Sequence, residues 1–231
     1  MREFIPEQVA GLDCLVRRTP GNKRAIVLLH GYGADYNDLC GLASTTDADR
    51  TFDWYFPRGP VHVPIDSYRS GRAWFPIDMI KLQSALMRGD PAPYANLSPD
   101  GFLEASAGVQ LLSRQLSANY DGVILGGFSQ GAMVSCDAAL QVIQAPPALL
   151  ILSGNLVARA RWKERMPIAK SMQIFQSHGQ SDPILAFAGA NELACLWQKY
   201  GFTLRFIPFD GGHEIPETVL HELQLFLRNL A

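Results

Sequence analysis

Short, almost wholly apolar runs recur along the chain, and amphipathic stretches separate most of them. A run without polar alternation is typical of a strand covered on both faces, as in a parallel sheet. The runs that predict such strands are 25–29, 53–56, 122–127, 146–154, 171–179 and 202–210. A further strand is predicted before the first of these, across a turn marked by Pro20-Gly21.

The stretches between the later runs carry apolar residues at helical spacing. They predict helices over 98–120, 129–143, 187–199 and 216–230. Ser98 is the candidate cap of the first helix, and Pro99 suits the first helical position. Strands that alternate with helices predict an α/β protein with a mostly parallel central sheet and helices on both faces.

The segment 61–98 interrupts this pattern. It is rich in proline, crowds aromatic residues around AWFP, and has spacing compatible with a helix only over 79–88. Irregular segments of this length inside a compact domain are often functional. We interpret it as a loop excursion next to the active site, within a single domain that spans 1–231.

Composition and charge narrow the class of protein. Of the 231 residues 48% are hydrophobic, and the formal net charge of −2 shows no basic face for nucleic acid. Neither a secretory signal nor a run of the roughly 18 apolar residues that span a bilayer is seen. Cys14, Cys40, Cys136 and Cys195 are scattered, which suits reduced thiols and predicts a cytoplasmic protein. Whether two copies form a homodimer is left open.

The candidate chemistry begins at Gly127-Phe128-Ser129-Gln130-Gly131, which fits the G-x-S-x-G nucleophile elbow. A serine on a sharp turn between a strand and a helix needs a strained backbone. Glycines two positions before and after it remove the Cβ atoms that would collide there. Because the motif follows an apolar run and precedes a predicted helix, we predict that Ser129 is a nucleophile; the alternative is a glycine-rich turn with a capping serine.

A serine hydroxyl needs a base, and the base needs an acid to orient it. In the order that follows an elbow, Ser then acid then His, the chain offers Asp182 and His213, each directly after a predicted strand. The carboxyl ends of neighbouring parallel strands share one edge of the sheet, which favours a common site. We predict a Ser129, Asp182 and His213 triad.

Other residues compete for these roles. The remaining histidines are His30, His62, His178 and His221. His30 and His178 each precede a glycine, which indicates a turn role, and His221 falls inside the last predicted helix. Asp210 is the rival acid, but it lies three residues from His213 on the same loop, so the geometry would be cramped.

Acyl transfer also needs hydrogen-bond donors for the oxyanion, worth about 3 kcal/mol each. One predicted donor is the backbone N–H of Gln130, the residue after the nucleophile. The other is the N–H of Tyr32, between Gly31 and Gly33 in the loop after an early strand. The alternative for that loop is a simple glycine turn.

The stretches that carry this chemistry are LLHGYGAD, GRAWFPID, GGFSQGAM, LSG, HGQSDPI and GGHEI. In this order they resemble the acyl-protein thioesterase/carboxylesterase family of α/β-hydrolases, also called phospholipase/carboxylesterase. The resemblance implies an α/β-hydrolase fold, no metal or organic cofactor, and cleavage of carboxylic esters or thioesters. It also supports the roles given to Ser129, Asp182, His213, Tyr32 and Gln130. The segment 77–97 looks longer and less regular than expected for the family.

Together with this resemblance, the patterns predict a serine hydrolase that cleaves a small-molecule substrate, a carboxylic ester or alternatively a thioester, of short to medium acyl chain. Trp74, Phe75, Met79 and Leu82 are candidates for an apolar acyl wall; the alternative for them is ordinary core packing. Within the same chemistry, lysophospholipase, acyl-protein thioesterase, peptidase and lactonase activities stay open. A receptor that keeps the pocket without turnover is the alternative from another class.

Overall fold

The structure is a computed structural model that describes residues 3–66, 68–78, 80, 84, 87–88, 94–96, 98–169 and 171–230. Its strands are β1 (Ile5–Val9), β2 (Leu12–Arg17), β3 (Arg24–Leu29), β4 (Asp53–Pro57), β5 (Val61–Pro64), β6 (Ser70–Ala73), β7 (Gly122–Phe128), β8 (Ala148–Leu152), β9 (Gln173–Gly179) and β10 (Thr203–Phe209). Its helices are α1 (Cys40–Thr46), α2 (Phe102–Leu116), α3 (Gln130–Gln141), α4 (Arg159–Arg165), α5 (Phe187–Lys199) and α6 (Glu217–Arg228).

Eight of these strands form one sheet in the order β1-β2-β4-β3-β7-β8-β9-β10. The pairs β1–β2 and β2–β4 are antiparallel, and every pair from β4 to β10 is parallel. The carboxyl ends of β3, β7, β8, β9 and β10 therefore lie along one edge. β5 and β6 pair with each other in a separate antiparallel hairpin.

Successive residues of the central strands face two different cores. In β3, Ala25, Val27 and Leu29 belong to one apolar cluster, while Ile26 and Leu28 belong to the other. Helices α2, α3, α4 and α5 supply the first cluster, and α1 and α6 supply the second. An apolar run without alternation is thus explained by burial on both faces.

The predicted fold class is confirmed, and each of the six apolar runs overlaps one of the strands β3, β4, β7, β8, β9 and β10. The sequence did not predict β1, the β5–β6 hairpin, α1 or α4. These elements are short or exposed along part of their length, so their apolar pattern is weak.

The predicted start of the helix at Ser98 is wrong. Helix α2 begins at Phe102, and Gly101 before it has a left-handed backbone with φ 76°. The N–H of Phe102 instead closes a turn on the carbonyl oxygen of Pro99, at 3.0 Å. Gly101 packs against Phe75, where an added Cβ would lie 3.4 Å from the Phe75 Cβ. Tertiary contact and glycine geometry therefore set this boundary.

Most of the helix proposed over 79–88 lies outside the described residues, and so do Met79 and Leu82. Among the residues that are described, no helix combines the length and the apolar character needed to cross a bilayer.

Candidate active site

Ser129 lies between the end of β7 and the start of α3 with φ 54° and ψ −118°. This is the left-handed region that non-glycine residues avoid, so the turn is strained. A Cβ on Gly127 would collide with the backbone of Gly131, and a Cβ on Gly131 would collide with Leu29 at the end of β3. The two glycines are needed because backbone comes within 3.0 Å of each of these Cβ positions.

Asp182 follows β9 in a tight turn. Its Oδ1 accepts hydrogen bonds from the backbone N–H groups of Ile184 and Leu185, at 2.8 and 2.9 Å. Pro183, between Asp182 and Ile184, has no N–H and so donates no hydrogen bond to the carboxylate. The turn leaves Oδ2 free for other partners and holds the carboxylate in one orientation.

His213 follows β10, and its Nδ1 lies 2.7 Å from Asp182 Oδ2. An ionised carboxylate only accepts, so Nδ1 carries the hydrogen and Nε2 of the neutral ring keeps its lone pair. The ring of Phe128, the residue before Ser129, lies 4.8 Å from the imidazole of His213, centroid to centroid. The histidine is therefore next to both the acid and the elbow. The rival acid, Asp210, is exposed.

The loops that carry Asp182 and His213 are tied together through their backbones. The N–H of Gln180 donates to Phe209 O at 2.9 Å, and the N–H of Ser181 donates to Gly211 O at 3.0 Å. Gly179 lies so close to Gly212 that an added Cβ would collide with its carbonyl oxygen. These contacts fix the separation of the acid and the histidine independently of their own hydrogen bond.

A second histidine contacts the acid. His178 is fully buried, and its Nε2 lies 2.7 Å from Leu185 O and 3.2 Å from Asp182 Oδ2. A carbonyl oxygen only accepts, so Nε2 must carry a hydrogen. Sequence reasoning gave His178 a turn role and missed this contact. Its spacing of four residues from Asp182, directly before a glycine, is the signal that was available.

The electrostatics of this cluster favour an ionised acid. Burial on its own raises the pKa of Asp182, but hydrogen bonds from His178, His213 and the Leu185 amide outweigh burial and leave this pKa well below its ordinary value. Asp182 is therefore a carboxylate at neutral pH, with a side chain that has no solvent exposure.

The loop after β3 approaches the elbow. An added Cβ on Gly31 would lie 3.4 Å from the Cβ of Ser129, so the chain of Gly31-Tyr32-Gly33 passes beside the serine. Across the described part of the chain, the backbone N–H groups of Tyr32 and Gln130 donate to no other backbone group. Both amides that the sequence proposed as oxyanion donors are thus available, one in this loop and one at the start of α3.

Of the four acyl-wall candidates, the structure describes Trp74 and Phe75. Trp74 is 2% exposed and borders an apolar cavity of about 200 Å³ with Leu12, Val61 and Ala105. Phe75 has no exposed area and packs edge-on against Phe102 at 5.4 Å. Both side chains belong to the core in this structure, and their contact with an acyl chain stays a prediction.

Comparisons with known proteins agree with this architecture. Residues 16–231 match the model of the phospholipase/carboxylesterase family. The chain is 25% identical to acyl-protein thioesterase 1 of Candida albicans, over 92% of this chain and 96% of that protein. It is 28% identical to acyl-protein thioesterase 1 of Debaryomyces hansenii, over 89% and 90% of the two chains.

Solved structures show the same fold. Esterase PE8 superposes with a TM-score of 0.73 and 25% identity, over 91% of this chain and 94% of that one. A carboxylesterase from Mesorhizobium loti has a TM-score of 0.74 over 98% and 99% of the two chains, at 16% identity. With the family model matched over nearly the whole sequence, the chain belongs to the phospholipase/carboxylesterase family of α/β-hydrolases.

Proposed function

We propose that this protein is a serine hydrolase that cleaves carboxylic esters and thioesters of short to medium acyl chains through an acyl-enzyme on Ser129. The observation that carries the proposal is the 2.7 Å hydrogen bond between His213 Nδ1 and Asp182 Oδ2. It fixes the histidine tautomer whose free nitrogen can act as a base. The family and the two named relatives support the ester and thioester classes.

In the first step, His213 Nε2 takes the proton of Ser129 while Oγ attacks the carbonyl carbon of the substrate. Asp182 orients the ring and stabilises the imidazolium that forms, and it stays ionised. The N–H groups of Tyr32 and Gln130 donate to the oxyanion of the tetrahedral intermediate.

The tetrahedral intermediate then collapses to the acyl-enzyme: the bond between the carbonyl carbon and the leaving group breaks, and His213 gives its proton to the departing alkoxide. A thiolate leaving group depends less on this protonation. Water then attacks the acyl-enzyme with His213 as base, which releases the acid and restores Ser129.

Thioesters are the substrate class that the two relatives favour, since both are named acyl-protein thioesterases. A cytoplasmic location is part of the proposal, and it fits four cysteines that are free of disulfides.

The test is hydrolysis of a series of p-nitrophenyl esters from acetate to decanoate, next to the matching thioesters. We expect kcat/KM to rise with chain length and then fall, because each buried CH₂ contributes about 0.8 kcal/mol until the groove is full. Ser129→Ala should abolish turnover, while Ser44→Ala on the exposed face of α1 should leave it unchanged. No turnover of any ester by a folded wild type would instead favour a binding protein on this fold.

A further inference from the structure

The two proposed oxyanion donors lie on separate parts of the chain. Gln130 starts α3, and Tyr32 lies in the loop after β3. Donors stabilise an oxyanion only if their spacing is fixed before the reaction, since reorganisation during the reaction cancels the gain. Gly131 allows the two backbones to approach closely, but a van der Waals contact does not set the direction of an N–H group. Something else must hold the two donors in register.

The segment from Arg72 to Phe75, at the end of β6 and just after it, contacts both parts; we call it the 72–75 bridge. On one side it binds Gln130 through that residue's side chain. The N–H of Trp74 donates to Gln130 Oε1 at 2.8 Å, and Gln130 Nε2 donates to the carbonyl oxygen of Phe75 at 2.7 Å. The side chain of Gln130 is 1% exposed, so these two hydrogen bonds are shielded from water.

On its other side the 72–75 bridge binds the residues around Tyr32. The indole Nε1–H of Trp74 donates to His30 O at 2.9 Å. The N–H of Gly33 donates to Arg72 O at 2.8 Å, and the N–H of Arg72 donates to Ala34 O at 2.8 Å. The backbone of Tyr32 is thus held on both sides by the same short segment.

His30 completes the arrangement. Its Nε2 accepts the N–H of Gly59 at 2.9 Å, so Nδ1 carries the hydrogen that is donated to Gly31 O at 2.7 Å. Burial lowers the pKa of His30, which keeps the ring in this neutral form at neutral pH. The carbonyl groups of His30 and Gly31, directly before Tyr32, therefore both have a fixed donor.

We propose that Trp74 and the side chain of Gln130 are positioning residues that set the spacing of the two oxyanion donors through the 72–75 bridge. This inference rests on the proposed function. It gives Trp74 a task different from contact with an acyl chain. It also explains why the residue directly after the nucleophile is a buried glutamine whose side chain makes two hydrogen bonds. The proposed reaction itself uses only the backbone N–H of Gln130.

The main test is Trp74→Phe, which keeps an aromatic ring and removes the indole N–H. Complete loss of an oxyanion donor costs about 100- to 1,000-fold in kcat. Loosening the loop should cost less, so we expect kcat to fall about tenfold with KM changed less than about twofold. Gln130→Met keeps a similar side-chain volume and removes two hydrogen bonds, so we expect kcat to fall about 10- to 100-fold.

Trp197→Phe is the matched control. Trp197 in α5 is fully buried, packs against Phe202, and its indole nitrogen has no hydrogen-bond partner among the described residues. The same volume is lost there without loss of a hydrogen bond, so kcat should stay at the wild-type value. Thermal unfolding of all variants shows how much of any loss is due to unfolded protein.

A second readout separates positioning from general damage. Phenylboronic acid adds to a nucleophilic serine to form a tetrahedral anion that resembles the intermediate. If the 72–75 bridge fixes the spacing of the two oxyanion donors, the affinity of the enzyme for phenylboronic acid should fall in Trp74→Phe by the same factor as kcat/KM. The 4-nitrophenol product, which has no tetrahedral centre, should inhibit the variant and the wild type equally.

The outcomes are distinct. Wild-type hydrolysis that Ser129→Ala abolishes establishes the proposed function before the bridge is tested, and its absence counts against that function alone. With an active wild type, a kcat of Trp74→Phe equal to that of Trp197→Phe overturns the bridge. A rise in KM at constant kcat also overturns it, because that is the signature of a lost acyl contact. If Trp74→Phe does not fold, Gln130→Met decides by the same criteria.

Discussion

Two regions border the candidate site and are built differently. The triad edge, made of the loops after β7, β9 and β10, depends on close backbone approach and one ionised carboxylate. The 72–75 bridge depends on neutral hydrogen bonds between buried groups. At the triad edge, an added Cβ at Gly127, Gly131 or Gly179 would collide with backbone. Beside the 72–75 bridge a Cβ on Gly59 would also collide, with the carbonyl group of Ala73, but the ring of Trp74 is positioned by the hydrogen bond that its indole N–H donates to His30 O.

Substitutions in the two regions should therefore have different consequences. Where backbone lies within collision distance, a new Cβ fits only if a strand moves. A single substitution there should therefore have a large effect on stability or activity. A set of neutral hydrogen bonds can lose one member and keep the rest, so its response should be graded.

The largest effect is expected at the acid. Asp182→Asn should lower kcat by about a thousand- to ten thousand-fold, since an amide favours the wrong tautomer of His213. Steady-state kinetics on a p-nitrophenyl ester measures this. Asp210→Asn is the matched control because the carboxylate is exposed on the neighbouring loop, and it should keep normal activity. The reverse ranking of these two variants would assign the acid to Asp210.

A smaller effect is expected on stability at the elbow. Gly131→Ala should lower the free energy of unfolding by about 3 kcal/mol or more, because the new Cβ collides with the carbonyl groups of Leu29 and His30. Gly108→Ala in α2, where an added Cβ meets nothing within 4 Å, should raise it by about 0.5–1 kcal/mol. Urea denaturation compares the two. Similar stabilities would mean that the elbow is not sterically restricted.

The smallest expected effect is on the pH dependence of stability, because His30 beside the bridge and Asp182 at the triad edge should contribute to the free energy of unfolding over different pH ranges. The pKa of His30 is lowered from 6.5 by burial, so unfolding binds a proton and the contribution of His30 declines as pH falls below about 6.5. The pKa of Asp182 is lowered from 3.8, so its contribution persists above that value and declines only in stronger acid. The limit is about 1.4 kcal/mol per pH unit for each group.

Denaturation between pH 8 and about pH 3 tests this, with His30→Asn and Asp182→Asn as partners of the wild type. The difference between wild type and His30→Asn should shrink between pH 8 and pH 5, while that for Asp182→Asn should shrink below about pH 4. Equal profiles would show that His30, which the 72–75 bridge contacts, and Asp182 do not titrate in separate pH windows.

The same contrast explains what the sequence could predict. The elbow, the turn at Asp182 and the loop at His213 are local patterns in which glycine, proline and order along the chain record steric needs. Their placement on β7, β9 and β10 followed from apolar runs that bury both faces. The structure brings Asp182 and His213 together as that order suggested.

The bridge could not be predicted in this way. Its hydrogen bonds join Gln130 to Trp74 and Trp74 to His30, residues that are 56 and 44 positions apart in the chain. No spacing rule connects a glutamine amide to a backbone so remote. A buried Trp next to Phe looks like an apolar wall from sequence, because an indole N–H that bonds a distant carbonyl leaves no local pattern. His178 beside Asp182 was missed for the related reason that a histidine before glycine also suits a turn.

If His213 and Asp182 activate Ser129 as we propose, this serine is the group that attacks an electrophile bound at the site. Labelling of the wild-type protein with a fluorophosphonate probe, followed by peptide mapping, identifies the serine that reacts. We expect one adduct per chain, on Ser129, and none on the Ser129→Ala variant. An adduct on another serine, or no adduct on a folded protein that hydrolyses esters, would mean that Ser129 is not the nucleophile.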